Sequence, residues 1–301
     1  MASILIDWGT STIRAYRLDG AGSVSERRRL ARGLASYSGP RDFRASFDEL
    51  TAGWRPAPVL LSGMVGSRQG WVEAAYAACP ARLADLAGAL TPVPGVADAH
   101  IVPGLATVAA SGAPDVLRGE EVQVFGAQQH AGQSESAAGA TDALVCLPGT
   151  HSKWVRVADG AIAGFATAMT GEVFATLRQY SLLAATTIDG EIEPGAHAFA
   201  EGLAWAGRPG GLLHHLFAAR TRPLREGMDA AAASAFLSGL LIGHEVAALA
   251  GDASEVILVG DPALCRLYEV ALAARGAATV TVTVDAEQAT VAGLTALAAL
   301  L

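Results

Sequence analysis

The chain has 301 residues, of which 51% are hydrophobic and 17% are charged. It is therefore long enough for two domains of ordinary size, and its composition excludes an intrinsically disordered chain. The formal net charge is −8 and no long basic run occurs, which argues against a nucleic-acid partner or an anionic membrane surface.

Cysteine usage and the chain start indicate a cytoplasmic protein. Cys79, Cys146 and Cys265 are isolated and odd in number, so neither a disulfide framework nor a thiolate zinc site is expected. The N-terminus enters a strand directly, without a basic segment or a cleavage site. The strongest apolar run, Phe236–Ile242, is too short to span a bilayer. No membrane partner is predicted.

The first predicted elements are three consecutive antiparallel strands, at Ile4–Ile6, Ile13–Leu18 and Val24–Leu30. The turn between the first two reads DWGTS. An acid at a strand end, followed by glycine and two hydroxyls, is typical of sites that hold Mg²⁺ and nucleotide phosphates. The alternative is a plain hairpin whose glycine and serine serve only the turn. The residues concerned are Asp7, Gly9, Thr10 and Ser11.

The rest of the first half alternates helices and strands and ends in a candidate linker. Gly132–Ala140 is small, polar and glycine-containing, which favours a linker. The elements predicted before it are a helix at Asp42–Leu50, a strand at Val59–Leu61, a helix at Pro80–Leu90, a strand at His100–Val102 and a helix at Glu120–His130.

The opening pattern returns after the linker. Strands are predicted at Ala143–Leu147, Trp154–Val157 and Ala161–Thr167, with Gly149-Thr150 in the first turn. This repeat of architecture predicts two similar halves with a nucleotide between them. The elements predicted beyond it are helices at Glu172–Tyr180, Ala198–Trp205, Leu212–Arg220, Ala231–Leu249, Ala263–Ala274 and Ala286–Leu300, and strands at Val256–Val259 and Val280–Val284.

Several segments along nearly the whole chain together resemble the 2-dehydro-3-deoxygalactonokinase family of the actin-like sugar kinases. The resemblance implies an α/β fold with two ribonuclease-H-like (actin-like ATPase) domains, at residues 1–131 and 141–301, with an interdomain cleft and a last helix that can cross back. The segments are IDWGTS, LSGMVGSRQGW, IVPGL, DVLRGEEVQVFGA, LPGTHSKWV, MTGEVF and FLSGLLIGHE.

The resemblance also implies a reaction: ATP-dependent phosphorylation of 2-dehydro-3-deoxy-D-galactonate at its 6-hydroxyl. Asp7 would position Mg²⁺, and the sugar acid would lie in the N-terminal half. Members of the superfamily often carry two glycines at the adenosine turn, where this chain has Gly260-Asp261. The implied nucleotide-binding residues are Asp7, Gly9, Thr10, Ser11, Gly149, Thr150, His151, Ser152, Lys153 and Gly260.

Asp115, Arg118 and Glu120 are the candidate catalytic residues. Related kinases need a carboxylate here to orient and deprotonate the attacking hydroxyl. Glu120 is favoured, because Gly119-Glu120 resembles a Gly-Asp pair in related enzymes, and Asp115 is the alternative. Acids at a helix start are also ordinary caps, and Asp115 is expected as the N-cap. That reading leaves Arg118 unexplained, since an arginine there needs an anionic partner.

Two further segments are candidate substrate contacts under the resemblance. Arg68 is the candidate ligand of the sugar-acid carboxylate; without the resemblance, its segment is a flexible loop. Thr170-Gly171-Glu172 is either a site turn or only a helix start. The implied substrate-binding residues are Met64, Ser67, Arg68, Trp71, Gly171 and Glu172.

Two other functions stay open at this point: a kinase for another small sugar or sugar acid, and a non-catalytic nucleotide-gated protein. A small-molecule substrate is the expected partner, and a homodimer is left open. His244-Glu245 lacks the second histidine of a zinc helix, and His214-His215 is expected on a helix surface.

Overall fold

The computed structural model describes residues 3–132, 142–276 and 279–301, and its backbone divides into two units. The first unit comprises the described residues up to Asp142, together with Arg156–Phe165 and Ala286–Leu301. The second comprises Ala143–Val155 and Ala166–Asp285. The linker predicted at Gly132–Ala140 lies outside the described residues except for Gly132.

The first unit is built on a sheet with strand order β3-β2-β1-β4-β7-β6. Strands β1 to β3 are antiparallel, whereas β4 runs parallel to β1 and β7 parallel to β4. A second sheet has the order β5-β8-β9. The elements are β1 (Ile4–Trp8), β2 (Ile13–Leu18), β3 (Val24–Leu30), α1 (Pro40–Thr51), β4 (Val59–Gly63), β5 (Tyr76–Ala78), α2 (Leu83–Gly88), β6 (Thr91–Pro92), β7 (Ala99–Ile101), β8 (Gly104–Val108), β9 (Pro114–Leu117) and α3 (Glu120–Gly132).

The second unit repeats this topology. The five-stranded sheet has the order β12-β11-β10-β13-β14, with β13 parallel to both β10 and β14, and its residues belong to the second unit except for those of β11 and β12 within Arg156–Phe165. The predicted internal repeat and the ribonuclease-H-like α/β fold are thereby confirmed. The remaining elements are β10 (Ala143–Leu147), β11 (Ser152–Ala158), β12 (Ala161–Ala168), α4 (Thr170–Tyr180), α5 (His197–Ala206), α6 (Gly211–Glu226), α7 (Ala230–Leu249), β13 (Glu255–Gly260), α8 (Pro262–Arg275), β14 (Thr279–Asp285) and α9 (Ala286–Ala298).

Each unit has its own apolar core. In the first, Ile4, Leu5 and Ile6 of β1 are completely buried, as expected for a central strand covered on both faces. Phe43 and Phe47 of α1 pack on the same cluster. In the second, α5 and α7 cross so closely that a Cβ on Gly239 would lie 2.1 Å from the carbonyl oxygen of Phe199.

Helix α7 is long and apolar enough to cross a membrane by length and composition, but 67% of its most apolar window is buried within the protein. Such burial is typical of the core helix of a globular domain. The helix was predicted at Ala231–Leu249, one residue short of its observed start.

The last helix, α9, belongs to the first unit. It packs on α3 through two glycines. A Cβ on Gly126 would lie 1.9 Å from the Ala289 carbonyl oxygen, and one on Gly293 would lie 1.9 Å from that of Val122. Because neither position tolerates a side chain, the start of α3 is held firmly against α9.

Predicted and observed elements differ most between residues 76 and 117. The helix predicted at Pro80–Leu90 is shorter, at Leu83–Gly88, and strands β5, β8 and β9 were not predicted. These strands are three to five residues long, too short for a clear alternation of apolar and polar residues. Pairing with neighbouring strands determines them instead.

Candidate active site

The turn after β1 presents backbone and hydroxyl groups to solvent. The Gly9 N–H donates to the Thr12 carbonyl at 2.9 Å, which closes the turn, and Thr10 and Ser11 are exposed at its tip. A Cβ on Gly9 would lie 2.9 Å from the Thr12 oxygen, so the turn is too tight for another residue. This arrangement can accept an anionic group.

Asp7, at the end of β1, is a partly exposed acid in a cluster of charges. Its register partner on β2 is Arg14, whose Nη1 lies 3.4 Å from Oδ2. Burial raises the pKa of Asp7; Arg14 opposes this shift, and the charges of Glu120 and Glu287 add to it. Asp7 therefore lies within the electrostatic reach of the α3 start.

The end of β4 lies beside Asp7 and the start of α3. Ser62 and Gly63 pair in register with Asp7 and Trp8. Gly63 has φ +87°, and a Cβ there would lie 2.7 Å from the Trp8 carbonyl oxygen. A Cβ on Gly119 would lie 3.2 Å from the Gly63 Cα. The backbones of β1, β4 and the α3 start thus come together at one edge of the sheet.

The first residues of α3 form a compact acidic cap. The Glu120 carboxylate accepts a hydrogen bond from the Arg118 N–H at 2.9 Å, and the Glu121 carboxyl accepts one from the Gly119 N–H at 2.6 Å. Glu120 is partly exposed, whereas Glu121 is completely buried. Of the two acids, Glu120 is the one that a ligand can reach.

The expectation that Asp115 caps this helix is wrong. Asp115 lies in β9, opposite Thr107 of β8, and its Oδ1 accepts from the Val116 N–H at 2.8 Å. Pro114 had suggested a helix start, but the following residues pair with β8 instead, so α3 begins five residues later. Asp115 is not among the groups that shift the pKa of Asp7, whereas Glu120 is.

Arg118 makes contacts within its own unit. One of its Nη atoms donates to the Ala74 carbonyl at 2.7 Å, and its guanidinium lies 4.3 Å from the centre of the Tyr76 ring. Its Nε and its other Nη atom are buried and have no hydrogen-bond partner among the described residues. Arg118 therefore ties the α3 start to the segment that follows the glycine-rich loop.

The predicted substrate loop places its residues in different environments. Met64 is partly buried and begins a short 3-10 turn, and the Ser67 N–H closes it with a 3.1 Å bond to the Met64 carbonyl. The Arg68 side chain is 88% exposed, with Glu73 at 3.6 Å. Trp71 packs on the rings of Trp8, Phe43 and Phe47. The Arg68 side chain is thus accessible to a ligand.

In the second unit, the turn at Gly149-Thr150 contacts the start of α4. The Glu172 N–H donates to the Thr150 carbonyl at 3.0 Å, and a Cβ on Gly171 would lie 2.5 Å from the Gly149 carbonyl oxygen. The His151 ring hydrogen-bonds the Glu172 carboxylate. Gly171 and Glu172, expected as substrate residues, thus adjoin the predicted nucleotide turn.

Ser152 and Lys153 are buried, unlike the residues before them. The Ser152 hydroxyl lies 2.9 Å from the Tyr268 hydroxyl, and the Lys153 ammonium donates to the His151 carbonyl at 3.0 Å. Ser152 is 0% and Lys153 5% exposed. Both side chains lie within the protein and bond to it, so a direct phosphate contact by either is not favoured.

A buried acid, Glu245 of α7, organises this region and was missed from the sequence. It accepts from the Trp154 Nε1–H and from the Tyr268 hydroxyl, both at 2.8 Å. Burial raises its pKa, and hydrogen bonds from Thr170, Trp154, Tyr268 and Ser152 oppose that shift. The sequence signal for it is a charged residue inside an apolar helix, and the incomplete zinc motif at His244-Glu245 does not report its burial.

Gly260 lies at the end of β13, next to the turn. A Cβ there would be 3.4 Å from the Pro148 carbonyl oxygen. Asp261 accepts from the N–H groups of Ala263 and Leu264 at 2.9 and 3.1 Å and therefore acts as the N-cap of α8. Gly260 is thus placed near the predicted phosphate turn, while Asp261 has a structural role.

His214 and His215 differ, so the expectation of a surface pair is half wrong. His215 is 1% exposed, and its ring bonds His244 and the Pro209 carbonyl, each at 3.0 Å. His214 is exposed. Among residues 3–132, 142–276 and 279–301, no group of three or more His, Cys, Asp or Glu residues could enclose a metal ion. The partly exposed Asp7 fits a cation held mainly by water and phosphate oxygens.

Comparison with known proteins identifies a matching family. Residues 7–297 match the family model described as 2-keto-3-deoxy-galactonokinase. The chain is 42% identical to a probable 2-dehydro-3-deoxygalactonokinase of Rhizobium meliloti, over 97% of this chain and 95% of the relative. It is 34% identical to the 2-dehydro-3-deoxygalactonokinase of Escherichia coli, over 91% and 90% of the two chains.

Solved structures give the same result for the fold. A protein from Sinorhizobium meliloti, assigned as a 2-dehydro-3-deoxygalactonokinase, superposes with a TM-score of 0.89 at 39% identity, covering 98% of both chains. Component A of the (R)-2-hydroxyglutaryl-CoA dehydratase of Acidaminococcus fermentans superposes with a TM-score of 0.53 at 13% identity, covering 98% of this chain and 97% of that one. The latter likeness concerns the fold alone.

Proposed function

Because this chain belongs to the 2-keto-3-deoxy-galactonokinase family, we propose that it transfers the terminal phosphoryl group of ATP to the 6-hydroxyl of 2-dehydro-3-deoxygalactonate. The observation that carries the proposal is the convergence of Asp7, Gly63, Gly119 and Glu120 at one edge of the first sheet. These residues supply groups that phosphoryl transfer needs: an acid that can hold a cation, closely packed backbone, and a second acid that the substrate can reach.

Glu120 is the proposed general base. Two observations support this role: the charge of Glu120 contributes to the raised pKa of Asp7, the proposed metal residue, and Glu120 is partly exposed. A carboxylate there can orient the acceptor hydroxyl and take its proton as the phosphorus–oxygen bond forms. Asp115 remains the alternative, but its position in β9 makes it the weaker candidate.

Each unit is proposed to carry its own phosphate-binding turn. In the first, Gly9, Thr10 and Ser11 offer the exposed turn after β1, and Asp7 would hold Mg²⁺ largely through its waters. When bound, the cation would neutralise charge on the phosphates.

In the second unit, Gly149 and Thr150 form the proposed phosphate turn, with His151 and Gly260 next to it. Ser152 and Lys153 support the turn from within the core. Gly171 and Glu172 hold its far side, so we assign them to this turn and not to the sugar acid.

The sugar-acid site is proposed on the loop after β4. Arg68, whose side chain is 88% exposed, is the candidate ligand of the carboxylate. A guanidinium can bind a carboxylate through two parallel hydrogen bonds. Met64 and Ser67 would line the site and Trp71 would form its apolar wall. Arg118 keeps a positioning role through Ala74 and Tyr76.

The domain roles follow from these assignments. Residues 1–131, joined by the last helix, would bind the sugar acid and the cation. Residues from 141 onward would bind the nucleotide. We expect a cytoplasmic enzyme acting on a small molecule, without a nucleic-acid or membrane partner.

The test of the function is ADP release with ATP, Mg²⁺ and a panel of 2-keto-3-deoxy sugar acids and plain hexoses. Turnover confined to the galactonate derivative is expected. Turnover with another acceptor would support the kinase activity but refute 2-dehydro-3-deoxygalactonate as its substrate. ATP binding without ADP release for any acceptor would favour a nucleotide-gated binding protein.

The test of the base compares Glu120→Gln with Asp115→Asn. Both substitutions remove a charge at nearly constant shape. Glu120→Gln should lower kcat by about 10²- to 10⁴-fold while ATP binding is retained, because general-base help is lost. Asp115→Asn should leave kcat close to that of the unaltered chain. The reverse order would transfer the role to Asp115.

A further inference from the structure

Glu121 is a buried acid to which the proposed reaction assigns no role. Its side chain is 0% exposed, so it cannot reach a substrate. One oxygen accepts from the Gly119 N–H at 2.6 Å, and the other has no hydrogen-bond partner in the described part of the chain. Burying a carboxyl group costs free energy that burying a leucine would not, so the Glu121 carboxyl must make a compensating interaction.

The group that Glu121 holds is the N–H of a residue in the left-handed region. Gly119 has φ +103°, a conformation that other residues rarely adopt, and lies against Gly63 at the end of β4. This peptide joins β9 to α3, so its orientation sets the direction in which the first helical residue, Glu120, leaves the backbone. The Glu120 carboxylate in turn accepts from the Arg118 N–H.

We propose that Glu121 is a positioning residue, whose carboxyl fixes the left-handed Gly119 peptide and thereby presents Glu120 beside Asp7. The proposal rests on the proposed role of Glu120 as the base. Val122, the next residue, has its carbonyl packed on Gly293 of α9, so the first turn of α3 is anchored behind Glu121 as well. Gly293 thus fixes the helix at Val122, and the Glu121 carboxyl fixes the peptide at Gly119.

An ordinary helix cap does not account for these contacts. Capping acids usually lie in water and need no burial. Here burial raises the pKa of Glu121 to about 8, and the charge of Glu120 adds to the shift while Arg118 opposes it. The charged residues on the neighbouring elements are Asp7 on β1, Asp115 on β9 and Glu287 on α9, and β4 carries none. The acid is therefore neutral at neutral pH.

The experiment measures kcat, both KM values and amide exchange at Gly119 for three variants of the full chain. Glu121→Gln keeps an oxygen that can accept from Gly119, so its kcat should stay within about threefold. Glu121→Asp, one methylene shorter, and Glu121→Ala lose that bond. Each should lower kcat by about 10- to 100-fold, with both KM values nearly unchanged, because the base is displaced.

The structural control is Gln123→Met. Gln123 lies two residues after Glu121 in α3 and donates to Thr290 of α9 at 3.1 Å. Loss of the Gln123–Thr290 hydrogen bond should lower the free energy of unfolding without changing kcat. In the unaltered protein kcat should also fall above about pH 8, where Glu121 ionises beside Glu120, and Glu121→Gln should lack this fall.

Amide exchange at Gly119 gives a readout that does not depend on activity. Glu121→Asp and Glu121→Ala should exchange faster at Gly119, and Glu121→Gln should not. The proposal is overturned if Glu121→Asp keeps normal kcat and protection, or if Glu120→Gln is active while Glu121→Asp is not. If the unaltered chain phosphorylates no acceptor, the proposed function fails, and exchange at Gly119 alone decides the role of Glu121.

Discussion

The perturbation with the best-defined consequence is Glu245→Leu. Glu245 accepts from the Trp154 Nε1–H and the Tyr268 hydroxyl at 2.8 Å, and Tyr268 in turn bonds Ser152. Leucine has a similar size and accepts nothing. The indole N–H is then buried without a partner, whereas the tyrosine can still bond Ser152.

The magnitude follows from these contacts. Each lost bond to the buried carboxyl is worth about 1.5–3 kcal/mol, so two bonds amount to about 3–6 kcal/mol. Burial of the leucine side chain returns about 1.5–3 kcal/mol. The expected loss in the free energy of unfolding is therefore about 1.5–3 kcal/mol. Glu245→Gln can accept from Trp154 and donate to Tyr268, so its loss should stay within about 1 kcal/mol.

The assays are urea unfolding followed by tryptophan fluorescence, and the KM for ATP. Glu245 also bonds Thr170, which begins α4 next to the Gly149 turn. Loosening that contact should raise the KM for ATP by about fivefold or more, with the KM for the sugar acid unchanged. Equal urea midpoints for the leucine and glutamine variants would refute the reasoning, because the carboxyl would then carry no net stabilisation.

Three further predictions follow from other parts of the chain. Burial raises the pKa of Glu121 to about 8 from 4.5, so the unfolded state binds fewer protons between these pH values, and the free energy of unfolding should fall as pH rises through this window. This fall in the free energy of unfolding is at most about 5 kcal/mol and should be absent in Glu121→Gln. Urea midpoints at pH 5 and pH 8 measure it, and an identical pH dependence in the two proteins would contradict the prediction. Gly293→Ala forces a methyl group to within 1.9 Å of the Val122 carbonyl oxygen and should cost about 1–3 kcal/mol or more, whereas Gly88→Ala, with no atom within 4 Å, should change the melting temperature little. Asp7→Asn should raise the Mg²⁺ concentration needed for half-maximal turnover by about tenfold or more, since one ligand charge is lost; an unchanged Mg²⁺ titration would place the cation elsewhere.

The sequence by itself determined the fold class and most of the long elements. Strand β10 was predicted with its observed bounds, and α7 to within one residue, because apolar periodicity and turn residues mark such elements locally. The repeated meander with its glycine turn was visible in the same way. Family membership could also be read from motifs spread along the chain, because each motif is a contiguous segment.

The tertiary structure decided what happens where segments meet. Asp115 looked like a helix cap, but pairing with β8 made its segment a strand, and no local pattern reports a pairing partner. Ser152 and Lys153 looked exposed in a polar turn, but α7 and α8 cover Ser152 and the chain buries Lys153. Glu121 and Glu245 looked like ordinary helix charges. Only the three-dimensional packing shows that both are buried, because burial depends on residues that are distant in the chain.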